Sequence, residues 1–339
     1  MIATEAELES VLSAPSAADI DALRAMEGPL LILGAAGKMG PSLAHRARRA
    51  LDAAENKAAV IAVSRFSNPA VREQLGQWGV ETIECDLLEP GALDRLPDAP
   101  NVIFMAARKF GSTGNPSLTW AINAYLPGLV AHRWRESRMV AFSSGNVYPL
   151  VPVSSGGATE QTPPDPVGEY AQSVLGRERL FDYVSRTYGT PVALLRLNYA
   201  VELRYGVLVD IALKVRDKQP VDLNMGHVNI IWQGDANSVA LRSLHRAESP
   251  PFILNLTGPE TLRVRDIARE FGRRFGVEPR FTGAEHPTAL LSNASLCHRL
   301  FGLPSLKALD LIDLVAAWIL RGGTIHGKPT HFEMREGKF

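Results

Sequence analysis

The stretch Pro29-Leu30-Leu31-Ile32-Leu33-Gly34-Ala35-Ala36-Gly37-Lys38-Met39-Gly40 decides how this chain folds. A short apolar run that ends in three glycines spaced three apart and then enters a helical pattern predicts a strand turning tightly into a helix. Each glycine serves a separate physical purpose. Gly34 permits the turn, Gly37 lets a pyrophosphate approach the backbone, and Gly40 lets the helix pack closely on its strand. Amide groups at the helix start, those of Lys38 and Met39 among them, are placed to meet the anion.

The same alternation continues on both sides of the turn. Residues 42–54 are rich in Ala, Leu and Arg and predict a helix, and Ala59-Val60-Ile61-Ala62-Val63 is a continuous apolar run suited to a strand buried on both faces. A helix over 71–78, strands over 81–85, 101–107 and 138–143, and a long helix over 116–135 follow. Strands alternating with helices in this way define an α/β fold of the Rossmann type, a doubly wound parallel sheet. A helical extension over 1–27 precedes it, with short helices near 5–12 and 17–26. The sheet unit is expected to run over 28–198 and a smaller α/β substrate unit over 199–339, with 228–247 returning to the sheet. Strand 252–260, an amphipathic helix over 264–275 and a helix over 309–320 are assigned to the smaller unit. Residues 327–332 show no periodicity and receive no role.

Bulk properties restrict the partners. Lys and Arg total 36 and Asp and Glu total 36, so the chain is formally neutral and carries no basic block of the kind that nucleic acid requires. Cys85 and Cys297 form neither a metal-ligand spacing nor a redox pair, which fits a reducing, cytoplasmic setting. No basic-then-apolar leader and no run of 18 apolar residues appears, so a membrane partner is not expected. No metal site is expected either, because the eight histidines follow no ligand pattern.

The end of the second strand bears on the cofactor. NAD sites usually place an acidic residue there against the ribose 2′-hydroxyl, whereas a 2′-phosphate asks for a cation. Ser64-Arg65 stands there instead, which favours NADP over NAD.

Several further pieces fall in one order: Asp86-Leu87, Ala106-Ala107, Asn123, Ser143-Ser144-x-x-Val147-Tyr148, Thr159-Glu160 ahead of Pro163-Pro164, and Tyr170. With the glycine turn they resemble the extended short-chain dehydrogenase/reductase family, the branch of NAD(P)-dependent epimerases, dehydratases and reductases. The resemblance implies that Asp86 and Leu87 flank the adenine and that Ala106, Ala107 and Arg108 pass under the pyrophosphate and ribose. It implies that Asn123 supports the cofactor-side strand, that Ser144 is the catalytic serine, and that Tyr170 is the catalytic base beside the nicotinamide. Asn146, Asn198 and Tyr199 join Ser144 as the substrate-facing residues. It further implies a homodimer in which helices over 116–135 and 169–186 form a four-helix interface.

The chain departs from that pattern twice. The family's lysine one turn after the tyrosine, which lowers the tyrosine's pKa, is here Val174. A phenol titrating near 10 is a weak base at neutral pH, so another cation is needed, and Lys109 is the first candidate and Arg177 the second. In nucleotide-sugar enzymes of the family an arginine that grips the diphosphate falls near Gly226 to Asp235, where this chain has neither Arg nor Lys. Without that cation, the sequence favours a smaller substrate: a sugar acid, lactone or polyol, with His227, Asn229 and Trp232 as further pocket or packing residues. The expected function is an NAD(P)-dependent oxidoreductase or epimerase at a carbinol or carbonyl carbon. The alternatives are a catalytically idle NAD(P)-binding sensor and a nucleotide-sugar epimerase or dehydratase.

Overall fold

A computed structural model describes residues 2–338. Seven parallel strands form the central sheet: β1 Leu30–Leu33, β2 Val60–Ser64, β3 Glu81–Glu84, β4 Asn101–Phe104, β5 Arg138–Ser144, β6 Val192–Leu197 and β7 Phe252–Leu256. Their order is β7-β6-β5-β4-β1-β2-β3, and every neighbouring pair runs parallel. The chain therefore reverses its winding between β1 and β4, and the crevice at the carboxyl ends of those two strands is where such sheets take ligands.

Side chains of successive strand residues point to opposite faces, and both faces are covered. Leu30 and Ile32 of β1 join Ile103, Val140 and Leu195 under the helix Gly40–Ala53, while Leu31 and Leu33 join Val102, Phe104 and Phe181 under the opposite helix layer. That double burial is why β1, β2 and β4 read as unbroken apolar runs.

The long helix predicted over 116–135 is present as Pro116–Trp120, a π turn at Ala121–Tyr125, and Leu126–Arg133. It packs on the helix Gly168–Tyr188. The smaller unit has its own core, in which Leu208 and Ile211 of Val207–Arg216 meet Ile267 and Phe271 of Val264–Phe275 and Leu311 and Val315 of Ala308–Leu320.

Two placements differ from the sequence expectation. The stretch 228–247 returns to the sheet unit as a helix, Gln233–Arg242, packed on Gly40–Ala53, and its short strand Ile231–Trp232 pairs with Ala200–Val201 outside the main sheet. The strand that completes the sheet is β7, which the sequence assigned to the smaller unit. The N-terminal extension packs on both units: Leu8 and Leu12 sit in the smaller unit's core and Leu23 in that of the sheet. Asp19 fastens it, accepting from Arg46 Nη2 at 2.7 Å and from Ser238 Oγ at 2.5 Å with no exposed surface. Among the described residues no helix is long and apolar enough to cross a membrane.

Candidate active site

The glycine turn after β1 has the geometry its spacing predicts. Gly34 lies at φ +89°, and a Cβ there would stand 2.6 Å from the Ala106 nitrogen, so β4 approaches β1 this closely only because residue 34 is glycine. A Cβ on Gly40 would stand 2.1 Å from the Ala35 carbonyl oxygen, whereas one on Gly37 would meet nothing nearer than 3.4 Å. The turn closes with Gly37 N–H donating to Gly34 C=O and Gly40 N–H to Gly37 C=O, both at 3.1 Å. Gly37 thus presents bare backbone at the start of Gly40–Ala53, a cradle that fits a dinucleotide pyrophosphate. Arg108 Nε, at the rim beyond β4, is buried with no hydrogen-bond partner, a donor available to such an anion.

Beyond the end of β2, Arg65 and Asp86 line one cavity of about 320 Å³ with Glu84, Glu89 and Arg95, the last paired with Glu89 at 3.1 Å. Asp86 Oδ1 accepts from the Leu88 N–H at 3.0 Å. Leu87, expected beside the adenine, turns its side chain into the core below the sheet.

Asn123 holds the rim from the π turn. Its Oδ1 accepts from the Arg108 N–H and its Nδ2 donates to the Arg108 carbonyl, each at 2.8 Å, and Nδ2 also reaches Ser173 Oγ at 3.0 Å. Turns of π type concentrate at functional sites because they displace a side chain from the regular helical repeat.

At the carboxyl end of β5, Ser144 Oγ donates to Asn146 Oδ1 at 3.0 Å and lines the same small cavity as Tyr170. Burial raises the Tyr170 pKa, and the neighbouring Ser144 hydroxyl and the Arg177 charge pull it back. Val174 cannot contribute: it packs in an apolar cluster with Val147, Tyr148, Met225 and Leu291.

Arg177, placed second from sequence, is the cation electrostatically coupled to Tyr170. Its guanidinium is buried and donates to the carbonyls of Phe142 at 2.6 Å, Ala106 at 3.0 Å and Asn123 at 3.2 Å, and to Asn123 Oδ1 at 3.2 Å. One side chain thereby joins β5, the residue behind the glycine turn, and the π turn. Desolvation brings its pKa down to about 10.

Lys109 also reaches the site, with Nζ 5.9 Å from the Tyr170 ring centre and 5.8 Å from that of Tyr199, and donates to the Thr330 carbonyl at 3.3 Å. Lys38, whose amide belongs to the glycine turn, carries its ammonium to the far wall, 3.0 Å from the Ala200 carbonyl and 3.7 Å from the centre of the Tyr205 ring. Tyr199 adopts φ +47°, an uncommon left-handed conformation for a non-glycine residue. With Asn198 it lines the same small cavity, about 170 Å³, as Ser144, Asn146, Tyr170 and both lysines. Asn229 and Trp232 are packing residues: the former ties Ser292 N–H to the Glu260 carbonyl, and the latter is buried in the smaller core.

Behind the site, Arg196 and Glu178 form a buried pair at 2.7 Å. Ser143 donates to Glu178 at 2.5 Å, Arg196 donates to the Tyr148 hydroxyl, and that hydroxyl donates to Asn255 at 2.8 Å. Glu160 in turn accepts from the Asn255 N–H at 3.0 Å. The motif residues Tyr148 and Glu160 thus belong to the scaffold behind the site, while Ser143, bonded into the same network, also lines the cavity beside Ser144. The widest groove, about 870 Å³, lies along Leu88 to Asp94 and Tyr125 to Ser137 and contains neither Ser144 nor Tyr170.

A family model described as the NAD dependent epimerase/dehydratase family matches residues 30–201. No curated protein matches the chain by sequence. Among solved structures, a UDP-glucose 4-epimerase of Thermotoga maritima with UDP-glucose aligns at 16% identity and a TM-score of 0.71, covering 87% of this chain and 99% of its own. A UDP-glucuronic acid 4-epimerase of Bacillus cereus in complex with NAD aligns at 17% identity and a TM-score of 0.72, covering 86% and 99%. A UDP-glucose 4-epimerase of Thermus thermophilus in complex with NAD aligns at 20% identity and a TM-score of 0.70, covering 85% and 98%. These likenesses establish a shared fold.

Proposed function

The chain belongs to the NAD dependent epimerase/dehydratase family, a family of enzymes, and from that premise we propose that it oxidises, reduces or epimerises a carbinol carbon of a small carbohydrate-like substrate. The observation that carries this reading is the placing of Ser144 and Tyr170 together on one small cavity at the carboxyl end of the sheet. A pure dinucleotide sensor has no use for that pair.

Bound dinucleotide supplies hydride exchange at carbon. The chain supplies the rest: Ser144 holds the substrate oxygen, Tyr170 moves the proton at that oxygen, and the Arg177 charge favours the ionised phenol that Val174 leaves unsupported. Lys109 places a second positive charge on the opposite wall. Ser64 and Arg65, at the end of β2 where an acidic residue would serve NAD, support a preference for NADP. The exposed Tyr125 and Leu129 of one helix and Tyr183 and Tyr188 of its neighbour support pairing of two copies through these helices.

A second reading, a nucleotide-sugar epimerase, is favoured by the UDP-sugars named with the structural neighbours. Denaturing freshly purified protein and identifying the released nucleotide by mass spectrometry separates the two. Retained NAD points to a recycled cofactor and hence to epimerisation, whereas an empty protein that binds added NADP points to an exchanging reductase or dehydrogenase. In either case Tyr170→Phe is expected to lower turnover about 10²–10⁴-fold with cofactor binding intact; undiminished turnover removes Tyr170 as the base.

A further inference from the structure

The stretch 327–332, which has no periodicity, runs along the wall of the cavity that holds Ser144 and Tyr170, and the chain around it is tied to both units. On the smaller unit, the His326 N–H donates to the Arg204 carbonyl at 3.1 Å, the N–H and the hydroxyl of Thr330 both donate to Asp210 Oδ2 at 2.7 and 2.6 Å, and Phe332 is buried in the core. Arg335 donates to the carbonyls of Asn224 and Thr288 at 3.2 and 2.7 Å. On the sheet unit, the Thr330 carbonyl accepts from Lys109 Nζ at 3.3 Å, and Gly337 lies against Gly168, at the start of the helix that carries Tyr170, where neither glycine leaves room for a Cβ. Residues 326–337 are therefore a strap that joins the two units beside the reacting groups.

The strap also divides the space it crosses. Thr330 lines the inner cavity of about 170 Å³, its neighbours Pro329 and His331 line an outer cavity of about 340 Å³, and Tyr205 belongs to both walls. Ser144 and Tyr170 face the inner space alone. At about 30 Å³ per water, that space matches roughly six waters and is too small for a nucleoside diphosphate. Asp210 holds the partition in place, because both donors of Thr330 go to one oxygen of its carboxylate and Thr330 is 3% exposed. Hydrogen bonds to an ionised acceptor are about twice as strong as neutral ones.

Resting on the enzymatic reading above, we propose that this strap is the size filter of the reaction chamber: latched by Thr330 on Asp210, it admits a single small polyhydroxy molecule to Ser144 and Tyr170 and shuts out any substrate that carries a nucleotidyl or glycosyl extension. Such an extension would have to cross the partition made by Pro329, Thr330 and Tyr205. Thr330 and Asp210 are thus specificity-determining residues that take no part in proton transfer.

Lys38 and Lys109 line the inner chamber and serve as reporters of what enters it. Desolvation brings Lys38 down to about 7 against the opposing charges of Glu202 and Asp210, and Lys109 down to about 8 against those of Asp210 and Glu333, so both offer neutral amine near pH 8. The test is reductive alkylation at that pH with formaldehyde and with an aldehyde-ended polyethylene glycol, cyanoborohydride being the reductant and peptide mass spectrometry the readout. The ratio of polymer to formaldehyde labelling is expected to be at least about tenfold lower at Lys38 and Lys109 than at the exposed Lys57. Asp210→Ala and Thr330→Gly, each shown to be folded by thermal melt, are expected to raise that ratio at least about tenfold, together with deuterium uptake over 326–337. Taking the ratio cancels any change in amine reactivity. A native ratio equal to that of Lys57 overturns the proposal, and so does a ratio left unchanged in both variants. UDP-glucose that binds the native protein while the strap stays protected from exchange overturns it as well. The labelling needs no turnover, so undiminished turnover in Tyr170→Phe would refute the assignment of the base and leave the filter standing.

Discussion

Restoring the family's lysine by Val174→Lys is expected to damage this protein. Val174 is 1% exposed, one helical turn beyond Tyr170, and walled by Val147, Tyr148, Met225, Leu290 and Leu291. An ammonium there finds no carboxylate among the residues of that cluster, and the Arg177 guanidinium lies one turn further on. Lysines buried in apolar surroundings lose their proton several units below the unfolded value of about 10.4, and holding such a group neutral at pH 7 costs about 4–5 kcal/mol. Overpacking adds about 1–3 kcal/mol.

The sign with pH follows from linkage. With the folded-state pKa depressed, the unfolded chain binds the extra proton, so the deficit is fully present only below that folded pKa, stands at about 4–5 kcal/mol at pH 7, and shrinks by about 1.4 kcal/mol per unit as pH rises toward 10. Urea unfolding of Val174→Lys and the volume control Val174→Met, at pH 7 and pH 9.5, isolates that charge term. Turnover is not expected to rise. A Val174→Lys protein as stable as the parent at pH 7 and faster in turnover would refute the reasoning, because it would show position 174 to be an open socket, with Arg177 irrelevant to Tyr170.

Arg177→Met orphans the carbonyls of Phe142, Ala106 and Asn123 and is expected to cost about 3–5 kcal/mol in urea unfolding. It should also move upward the limb of the pH–rate profile on which Tyr170 ionises and rate rises, since the charge opposing the burial of Tyr170 is gone. Arg177→Lys is expected to restore the profile more than the stability, because an ammonium keeps the charge but not the fork; an unchanged profile in both variants would detach Arg177 from Tyr170.

Where sequence spacing determines structure, it locates the elements closely. The helix Glu5–Leu12 and the amphipathic helix Val264–Phe275 form at the expected residues, and Gly34 and Gly40 stand where a Cβ would clash with backbone, as their spacing implies. β7 falls in the sheet and not in the smaller unit because Phe252-Ile253-Leu254-Asn255-Leu256 is a buried apolar run that suits either, and only its pairing with β6 decides between them. The site's far wall is illegible in the sequence for a related reason. Tyr205 and Thr330 carry no motif, and they reach Lys38 and Lys109 through tertiary packing across more than 100 residues of chain. Arg177 stands far up the helix axis from Tyr170, yet its guanidinium runs sideways into the strand ends and acts on Tyr170 by charge. The glycine spacing places the Lys38 backbone but says nothing of its side chain, which leaves the turn for the opposite wall.

The π turn at Ala121–Tyr125 holds one residue more than a regular helical turn of the same height. When this chain is aligned with a relative whose helix is regular throughout, a one-residue gap must open inside that segment. Without the gap, every position from Leu126 onward in the helix is matched to the wrong neighbour, and Asn123 is matched to a residue that points elsewhere. The position of that gap therefore sorts relatives into those that can hold the Arg108 backbone from this helix and those that cannot, even where identity is too low for any single residue to do so.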